Sequence, residues 1–275
     1  MNDEQTGDAD LRRITAAGIH FLTGASAAGS DQPPVICLHG IGGDARSFIP
    51  QITGLTDYAV YSWSMPGYGG SEQLEEMSFA RLCDRLLAAM DALGMTQVVM
   101  AGQSIGGMIA QEMAIRFPDR ITGLILIATV PAFGGRDDSF KDQFLAARLA
   151  PLDQGMSMKT LAAKAIPAVM GDAVDDRISQ DAVAVMADIP QAAYRQVLSC
   201  LVTFNRRDDQ HLIRCPCCLI AGGKDDNSPA RVMERMAERL VDASIDVIET
   251  AGHLVNNEAA GPCNDIISEF MKRVN

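Results

Sequence analysis

Short apolar runs alternate along this chain with segments whose apolar residues recur at helical spacing. Four runs have the length and continuity of buried strands, namely residues 35–38, 59–63, 98–100 and 124–127. Between the second and third runs, Ser78 is suited to cap a helix whose apolar positions repeat until Gly94. This alternation predicts a mostly parallel sheet with helices on its faces.

The pattern changes between about residues 131 and 214, where helical patterns follow one another without a strand pattern between them. Candidate helices lie near 139–149, 157–170, 179–186 and 191–203. Strands resume at 217–221 and 245–249, separated by a helical run at 231–240, and a last amphipathic helix is predicted at 263–272. We therefore predict an α/β core formed by residues 1–130 and 215–275, with residues 131–214 inserted as a helical cap.

The composition is that of a folded, acidic protein. Because 48% of the 275 residues are hydrophobic, the chain can bury one large core, and overall disorder is not expected. The net charge of -12 repels phosphate backbones and anionic lipid, so we expect neither nucleic acid nor a membrane as a partner. The first ten residues are polar, and the first apolar stretch is too short for a signal peptide or a membrane span. These features predict a cytoplasmic protein.

The seven cysteines predict free thiols rather than disulfides. Their number is odd and their spacing shows no pairing pattern, which fits buried thiols in a reducing compartment. Three of them, Cys215, Cys217 and Cys218, lie where the chain enters a predicted strand. Because neighbouring side chains of a strand point to opposite faces, we do not expect a metal site there.

The strongest chemical signal is the pattern Gly-x-Ser-x-Gly at residues 102–106, directly after the third predicted strand and before a helical run at 108–117. A serine on so sharp a turn needs a strained backbone, and the flanking glycines remove the Cβ atoms that would collide. Ser104 is thus a candidate nucleophile, and the N–H of Ile105 a candidate oxyanion donor. Taken alone, the pattern fits an idle serine in a glycine-rich turn equally well.

A second glycine-rich segment, residues 39–43, follows the first predicted strand and has the form of a loop that brings backbone donors to a ligand. The N–H of Ile41 is the second candidate oxyanion donor. We expect His39 to satisfy backbone groups of this loop rather than to take part in catalysis.

A serine nucleophile needs a general base, and histidine suits this role near neutral pH. The chain has four histidines, His20, His39, His211 and His253. Only His253 lies in a loop after the last predicted strand, and active sites of such sheets form at the carboxyl ends of the strands. His253 is therefore the predicted base.

In five ordered segments the chain resembles the α/β-hydrolase superfamily: HG at 39–40, SMPGYGGS at 64–71, GQSIGG at 102–107, GGKD at 222–225 and AGH at 251–253. The resemblance implies the α/β-hydrolase fold, a mostly parallel twisted sheet flanked by helices with an inserted helical cap, and covers nearly the whole chain. Where many members carry Asp before the Pro-Gly turn, this chain has Ser64, which we expect to support a loop.

The resemblance also implies the chemistry, acyl transfer to water through Ser104, with neither metal nor organic cofactor. The family's usual spacing of glycine, two residues and aspartate points to Asp225 as the acid that orients His253. Asp226 would then meet solvent or cap the turn through the backbone of Asn227 and Ser228. A serine nucleophile argues against haloalkane dehalogenase and epoxide hydrolase chemistry, because those members use aspartate there.

The substrate class stays open between small-molecule esters, thioesters, lactones and compounds with the carbon-carbon bond of a β-diketone. Similarity to 3-oxoadipate enol-lactonases and small carboxylesterases favours an ester or lactone. One alternative is a carbon-carbon bond hydrolase of the meta-cleavage-product type, although those often carry Asn where this chain has Gln103. Another is a receptor that binds a small molecule without turnover. A homo-oligomer is also possible.

The predicted cap should form the roof of the acyl pocket, since its side chains are mainly apolar. It also carries four arginines that are able to bind a substrate carboxylate, although an exposed, solvated position is the commoner role of any one of them. They are Arg136, Arg148, Arg177 and Arg195.

Overall fold

A computed structural model describes residues 11–24, 32–134, 139–172 and 174–274, which form one eight-stranded sheet in the order β1-β2-β4-β3-β5-β6-β7-β8. In chain order the strands are β1 (Arg12–Ala16), β2 (Ile19–Thr23), β3 (Val35–Leu38), β4 (Val60–Trp63), β5 (Val98–Gln103), β6 (Ile121–Ile127), β7 (Cys217–Gly222) and β8 (Ala243–Ile248). The first two strands are antiparallel to their neighbours, and β4, β3, β5, β6, β7 and β8 run parallel. The carboxyl ends of these six strands therefore meet at one edge.

Ten helices occur in the same described residues, and they are α1 (Ile49–Gly54), α2 (Phe79–Ala92), α3 (Ile105–Arg116), α4 (Ser139–Asp153), α5 (Met158–Ala165), α6 (Asp176–Ala187), α7 (Gln191–Leu201), α8 (Ala230–Ala237), α9 (Val255–Glu258) and α10 (Ala260–Met271). The predicted cap of α2 is present, because the Ser78 hydroxyl accepts a hydrogen bond from the Arg81 backbone N–H at 3.3 Å. Gly94, with φ of 71°, follows the end of the helix.

Side chains of the central strands alternate between two buried layers. In β6, Leu124 and Leu126 pack in the layer that includes α2, α3 and α8, whereas Ile125 and Ile127 pack in the layer that includes α10. Because successive strand residues point to opposite faces, an apolar residue at every position is what a sheet covered on both sides requires. The predicted α/β-hydrolase fold class is confirmed.

Helices α4 to α7 lie between β6 and β7, and we call residues 131–214 the helical insertion. The helix predicted at 157–170 is shorter than expected: α5 ends at Ala165 and a separate 3-10 turn spans Pro167–Val169. Pro167 explains the break, since proline has no backbone N–H to continue the helix. The division into a core domain and a cap domain stays a prediction.

No helix within the four described ranges is long and apolar enough to cross a membrane.

Candidate active site

Ser104 lies on the sharp turn between β5 and α3, in the strained conformation that the sequence predicts. Its φ is 55° and its ψ -120°, a region that residues other than glycine rarely adopt. The Ser104 N–H donates to the Ile127 carbonyl at 3.0 Å, and its carbonyl accepts from the Thr129 hydroxyl at 2.7 Å. A Cβ on Gly106 would overlap the Leu38 carbonyl. Contacts from β3 and β6 thus fix the turn.

The side chains of Ser104, His253 and Asp225 form one hydrogen-bonded chain. His253 Nε2 lies 3.1 Å from Ser104 Oγ, and His253 Nδ1 lies 2.8 Å from Asp225 Oδ2. Each residue follows a different parallel strand, β5, β8 and β7 respectively. The Asp225 side chain is fully buried and that of His253 nearly so. The structure therefore brings together the three side chains that the sequence singled out.

Of the two roles expected of Asp226, contact with solvent or capping of the turn, the structure shows the first, because Asp225 itself makes the turn contacts. Asp225 Oδ1 accepts from the backbone N–H groups of Asn227 at 2.8 Å and Ser228 at 3.0 Å. A carboxylate has two oxygens, so one can hold the turn two and three residues ahead while the other faces the imidazole. Asp226 is exposed. The turn thereby fixes the orientation of the Asp225 carboxylate.

The two predicted oxyanion donors belong to the glycine loop and to the start of α3. In the described part of the chain, neither the Ile41 N–H nor the Ile105 N–H has an acceptor within hydrogen-bond distance. The loop passes close to the nucleophile, since a Cβ on Gly40 would lie 3.3 Å from Ser104 Cβ. Both N–H groups are therefore free to bind an oxygen, and their role in catalysis stays a prediction.

His39 satisfies backbone groups, as we expected. Its Nε2 accepts from the Met65 N–H at 2.9 Å, so Nδ1 carries the proton and donates to the Gly40 carbonyl at 2.7 Å. Burial lowers the pKa of His39 to about 4, although the hydrogen bond to Gly40 and the charge of Asp44 act in the opposite direction. His39 is thus a neutral structural residue.

The two remaining histidines contact loop carbonyls. His20 Nδ1 lies 3.1 Å from the Gly69 oxygen and His211 Nδ1 lies 3.0 Å from the Asp208 oxygen. Neither imidazole contacts the Ser104 side chain.

Ser64 supports a loop, as its position before the Pro-Gly turn led us to expect. Its hydroxyl accepts from the Ala45 N–H at 3.4 Å, and its carbonyl accepts from the Ser71 hydroxyl at 2.7 Å. Both contacts hold neighbouring chain segments together, and neither involves the hydrogen-bonded chain at Ser104.

Glu258 is a residue of this region that the sequence analysis missed. Its Oε2 accepts from the backbone N–H groups of Gly171 at 2.7 Å and Gly252 at 2.8 Å, and its Oε1 accepts from that of Leu254 at 2.9 Å. One carboxylate therefore ties the helical insertion to both sides of His253. The only sequence signal was a lone acidic residue five positions after the histidine, which by itself indicates nothing.

Two further bonds hold the loop that carries His253. The His253 N–H donates to the Val169 carbonyl at 2.8 Å, and Gln103 Nε2 donates to the His253 carbonyl at 2.8 Å. Val169 belongs to the helical insertion and Gln103 precedes the nucleophile. The loop is thus fixed from the insertion and from the nucleophile turn at once.

A cavity of about 930 Å³ opens onto Ser104 and His253. The helical insertion contributes much of its apolar lining, including Phe133, Phe144, Ile166, Val169, Met186 and Tyr194. The cavity has the size of a site for a small molecule. Among the described residues no cluster of His, Cys, Asp and Glu converges in a way that would hold a metal ion.

Comparison with known proteins adds three findings. The family described as "alpha/beta hydrolase fold" matches residues 33–260 of this chain. A pimeloyl-[acyl-carrier protein] methyl ester esterase of Shewanella sp. (strain MR-7) is 31% identical over 74% of this chain and 78% of its own length. A putative carbamate hydrolase, RutD of Caulobacter sp. (strain K31), is 27% identical over 88% of this chain and 91% of its own length.

Solved structures show the same architecture. The crystal structure of the enol-lactonase from Burkholderia xenovorans LB400 superposes with a TM-score of 0.83 at 19% sequence identity, covering 95% of this chain and 100% of that one. At so low an identity, this likeness concerns the fold alone.

Proposed function

Because the chain belongs to the α/β-hydrolase family and is a hydrolase, we propose that it cleaves a carboxylic ester or lactone of a small molecule through an acyl-enzyme on Ser104. The observation that carries the proposal is the hydrogen-bonded chain of Ser104, His253 and Asp225 at the wall of a largely apolar cavity. Family membership supports hydrolysis, and this geometry supports serine as the nucleophile.

In the first half-reaction, Ser104 Oγ attacks the substrate carbonyl carbon while its proton passes to His253 Nε2, 3.1 Å away. Asp225 stabilises the imidazolium through its 2.8 Å contact to Nδ1. The carbonyl oxygen becomes an oxyanion, which the N–H groups of Ile41 and Ile105 bind. Collapse of this intermediate breaks the ester bond, and the leaving alcohol takes the proton from Nε2.

In the second half-reaction, water gives a proton to His253 Nε2 and attacks the acyl carbon. The second tetrahedral intermediate collapses, the proton returns to Ser104 Oγ, and the carboxylic acid is released. In a lactone the alcohol remains part of the acyl group throughout, so a single hydroxy acid is released. No redox change occurs, and water is the only co-substrate.

The names of relatives support the substrate class. One related protein is called a methyl ester esterase and one structural neighbour an enol-lactonase, and both names describe hydrolysis of an ester bond to a small alcohol or enol. The apolar lining suits an acyl chain, since burial of apolar surface stabilises its binding. We locate the activity in the cytoplasm, the compartment that the sequence predicts.

A fluorophosphonate probe tests the nucleophile, because it labels only an activated serine. We expect labelling of the wild-type protein at Ser104, loss of labelling in Ser104→Ala, and a loss of ester turnover by several orders of magnitude in both Ser104→Ala and His253→Ala. His211→Ala is the matched control, because that histidine is exposed and does not line the cavity. A folded wild-type protein that the probe does not label would point to a receptor.

A substrate panel then tests the bond that is cleaved. We expect turnover of p-nitrophenyl esters of graded acyl length and of simple lactones. Cleavage of a vinylogous dienoate without turnover of any ester would instead establish a carbon-carbon bond hydrolase.

A further inference from the structure

Three arginines line the cavity, and two of them, Arg148 and Arg207, have no carboxylate partner among the described residues. The third, Arg46, pairs with Asp44 at 2.8 Å, and Arg207 donates to the Gly134 carbonyl at 2.9 Å. A guanidinium beside an apolar cavity is costly to desolvate unless an anion compensates it.

The structure distinguishes Arg148 from the other arginines that the sequence offered. Arg195 pairs with Asp153 at 2.6 Å, and Arg177 is exposed and does not line the cavity. Arg136 lies outside the described residues.

The side chain of Arg148 lies against the ring of Phe144. Its guanidinium carbon lies 5.0 Å from the centroid of the Phe144 ring, a cation–π distance. Burial raises the pKa of Tyr194, and the nearby charge of Arg148 partly opposes that increase. A guanidinium has five N–H donors, and stacking uses none of them. Donors therefore remain for an anion in the cavity.

The carboxylates near this position do not compensate the charge of Arg148. Asp181 and Asp226 line the cavity, but both residues are exposed, so water screens them. A smaller depression beside the cavity is also bordered by Arg148, together with Lys164 and Lys224. Lys224 pairs with Asp172 at 3.0 Å. Asp226 borders the same depression, so the charges around it are mixed, and Arg148 itself is the group that can bind an anion in the cavity.

Resting on the proposed hydrolase function, we infer that Arg148 binds a free carboxylate of the substrate, so that the substrate is an ester or lactone whose acyl part carries an acid group away from the scissile bond. An arginine forms two parallel hydrogen bonds to a carboxylate, which gives both affinity and orientation. The aromatic and aliphatic lining between Arg148 and Ser104 then contacts the spacer between the two functional groups. Arg148 determines specificity and takes no part in bond breaking.

Matched substrates test this inference. We would compare p-nitrophenyl monoesters of glutaric, adipic and suberic acid with the neutral p-nitrophenyl ester of equal chain length. At the spacer length that fits, wild-type kcat/KM should favour the charged ester about 10- to 100-fold. In Arg148→Gln this ratio should fall to about 1, mainly through KM, because the contact is equally strong in the ground and transition states. Arg148→Lys should be intermediate, since lysine keeps the charge without the planar fork.

The decisive quantity is the ratio of kcat/KM for the charged ester to kcat/KM for the neutral ester, measured on one variant. A general loss of activity lowers both values and leaves this ratio unchanged. Arg177→Gln is the matched control, an exposed arginine of the same insertion, and should keep the wild-type ratio. A wild-type ratio near 1 at every spacer length, or a preference that persists in Arg148→Gln, would overturn the inference and leave the hydrolase proposal intact.

A binding measurement separates the two proposals. Calorimetry on Ser104→Ala protein should show tighter binding of the monomethyl ester of adipic acid than of dimethyl adipate, and Arg148→Gln in that background should abolish the difference. If the difference depends on Arg148 while the wild-type protein hydrolyses no ester, the carboxylate site stands and the hydrolase proposal fails. Equal binding of the two compounds refutes the carboxylate site.

Discussion

Helices α3 and α4 show how differently the two parts of this molecule are built. In α3, which follows the nucleophile, every residue except the last two is buried. In α4, the 15-residue helix that begins the helical insertion, only Leu152 is buried. The first helix contacts its surroundings on every side, whereas the second lies on the surface and lends a few side chains to the cavity.

This difference in burial suits the groups around Ser104 and the helical insertion to different tasks. The groups around Ser104 are fixed by backbone hydrogen bonds and by carbonyls that leave no room for a Cβ, so their positions vary little. Proton transfer requires such precision, because a displacement of about 1 Å can cost a large factor in rate. Helix α4 of the insertion contributes partly exposed side chains, which can change conformation more easily than buried ones, and this suits the selection of substrates.

The largest effect should come from Asp225, the acid among the fixed groups around Ser104. Asp225→Asn keeps the shape of the side chain but removes the charge and places an amide against the His253 ring, so we expect kcat for an ester to fall about 10⁴-fold. Asp226→Asn, one residue away and exposed, is the control and should change kcat little. Steady-state kinetics on both variants decides the matter. Equal losses, or a larger loss in Asp226→Asn, would contradict the assignment of Asp225.

A second effect should appear in the pH dependence of the free energy of unfolding, and it should come from His39, in the loop next to Ser104. Burial lowers the pKa of His39 to about 4, so in acid the unfolded chain takes up a proton on this residue before the folded protein does. The contribution of His39 to the free energy of unfolding is then fully present above about pH 6.5. It is lost as the pH falls from about 6.5 to 4, and it amounts to at most about 3 kcal/mol. Urea unfolding across this range measures it.

His39→Gln shows whether that residue is the cause, since its pH dependence should lose this contribution, whereas His211→Gln should keep it. NMR titration of the His39 ring in wild-type protein measures the pKa directly and does not depend on how well the variants fold. A pKa near 6.5 would show that the loop beneath Ser104 is more open to water than its contacts indicate.

The smallest effect should come from the insertion. The Phe144 ring contacts that of Phe133, with centroids 4.7 Å apart, and both line the cavity. Phe144→Ala should raise KM for long-chain esters roughly tenfold and change kcat little, because the lost apolar contact exists before the reaction begins. Phe140→Ala removes a ring that is 50% exposed and should have a weaker effect. A greater loss in kcat than in KM would assign the insertion a part in the chemistry.

The parts of the fold that could be predicted from the sequence are those specified by local rules. Buried strands such as β6 are apolar at every position, and the cap of α2 is a serine followed by helical spacing, so both were predicted within a few residues. The antiparallel pair β1 and β2 was not predicted as a hairpin, because β1 is mostly exposed and lacks an apolar pattern. Helix α1, with only six residues, is too short for its period to be recognised.

The residues of the site also differ in how far the sequence could predict them. Ser104 and His253 could be found because glycines and strand ends surround them, and glycine patterns reflect backbone geometry. The resemblance predicted Asp225 as the acid. The sequence could not show that one of its carboxylate oxygens binds the turn and the other the imidazole, because that depends on the orientation of the carboxylate in the folded protein. Arg148 could be named only as one of four candidates, since the absence of a counter-ion is a property of the packed structure.

Glu258 constrains any movement of the helical insertion relative to the loop that carries His253. The bonds from Gly171, Gly252 and Leu254 converge on its carboxylate, and the His253 N–H binds Val169 beside them. An opening motion that draws residues 169–171 away from the sheet must therefore break contacts of the loop that carries the base. Such a conformer lacks the support that holds His253 against Ser104. A substrate that entered through such an opening would meet a proton relay without this support, and closure over the substrate would restore it.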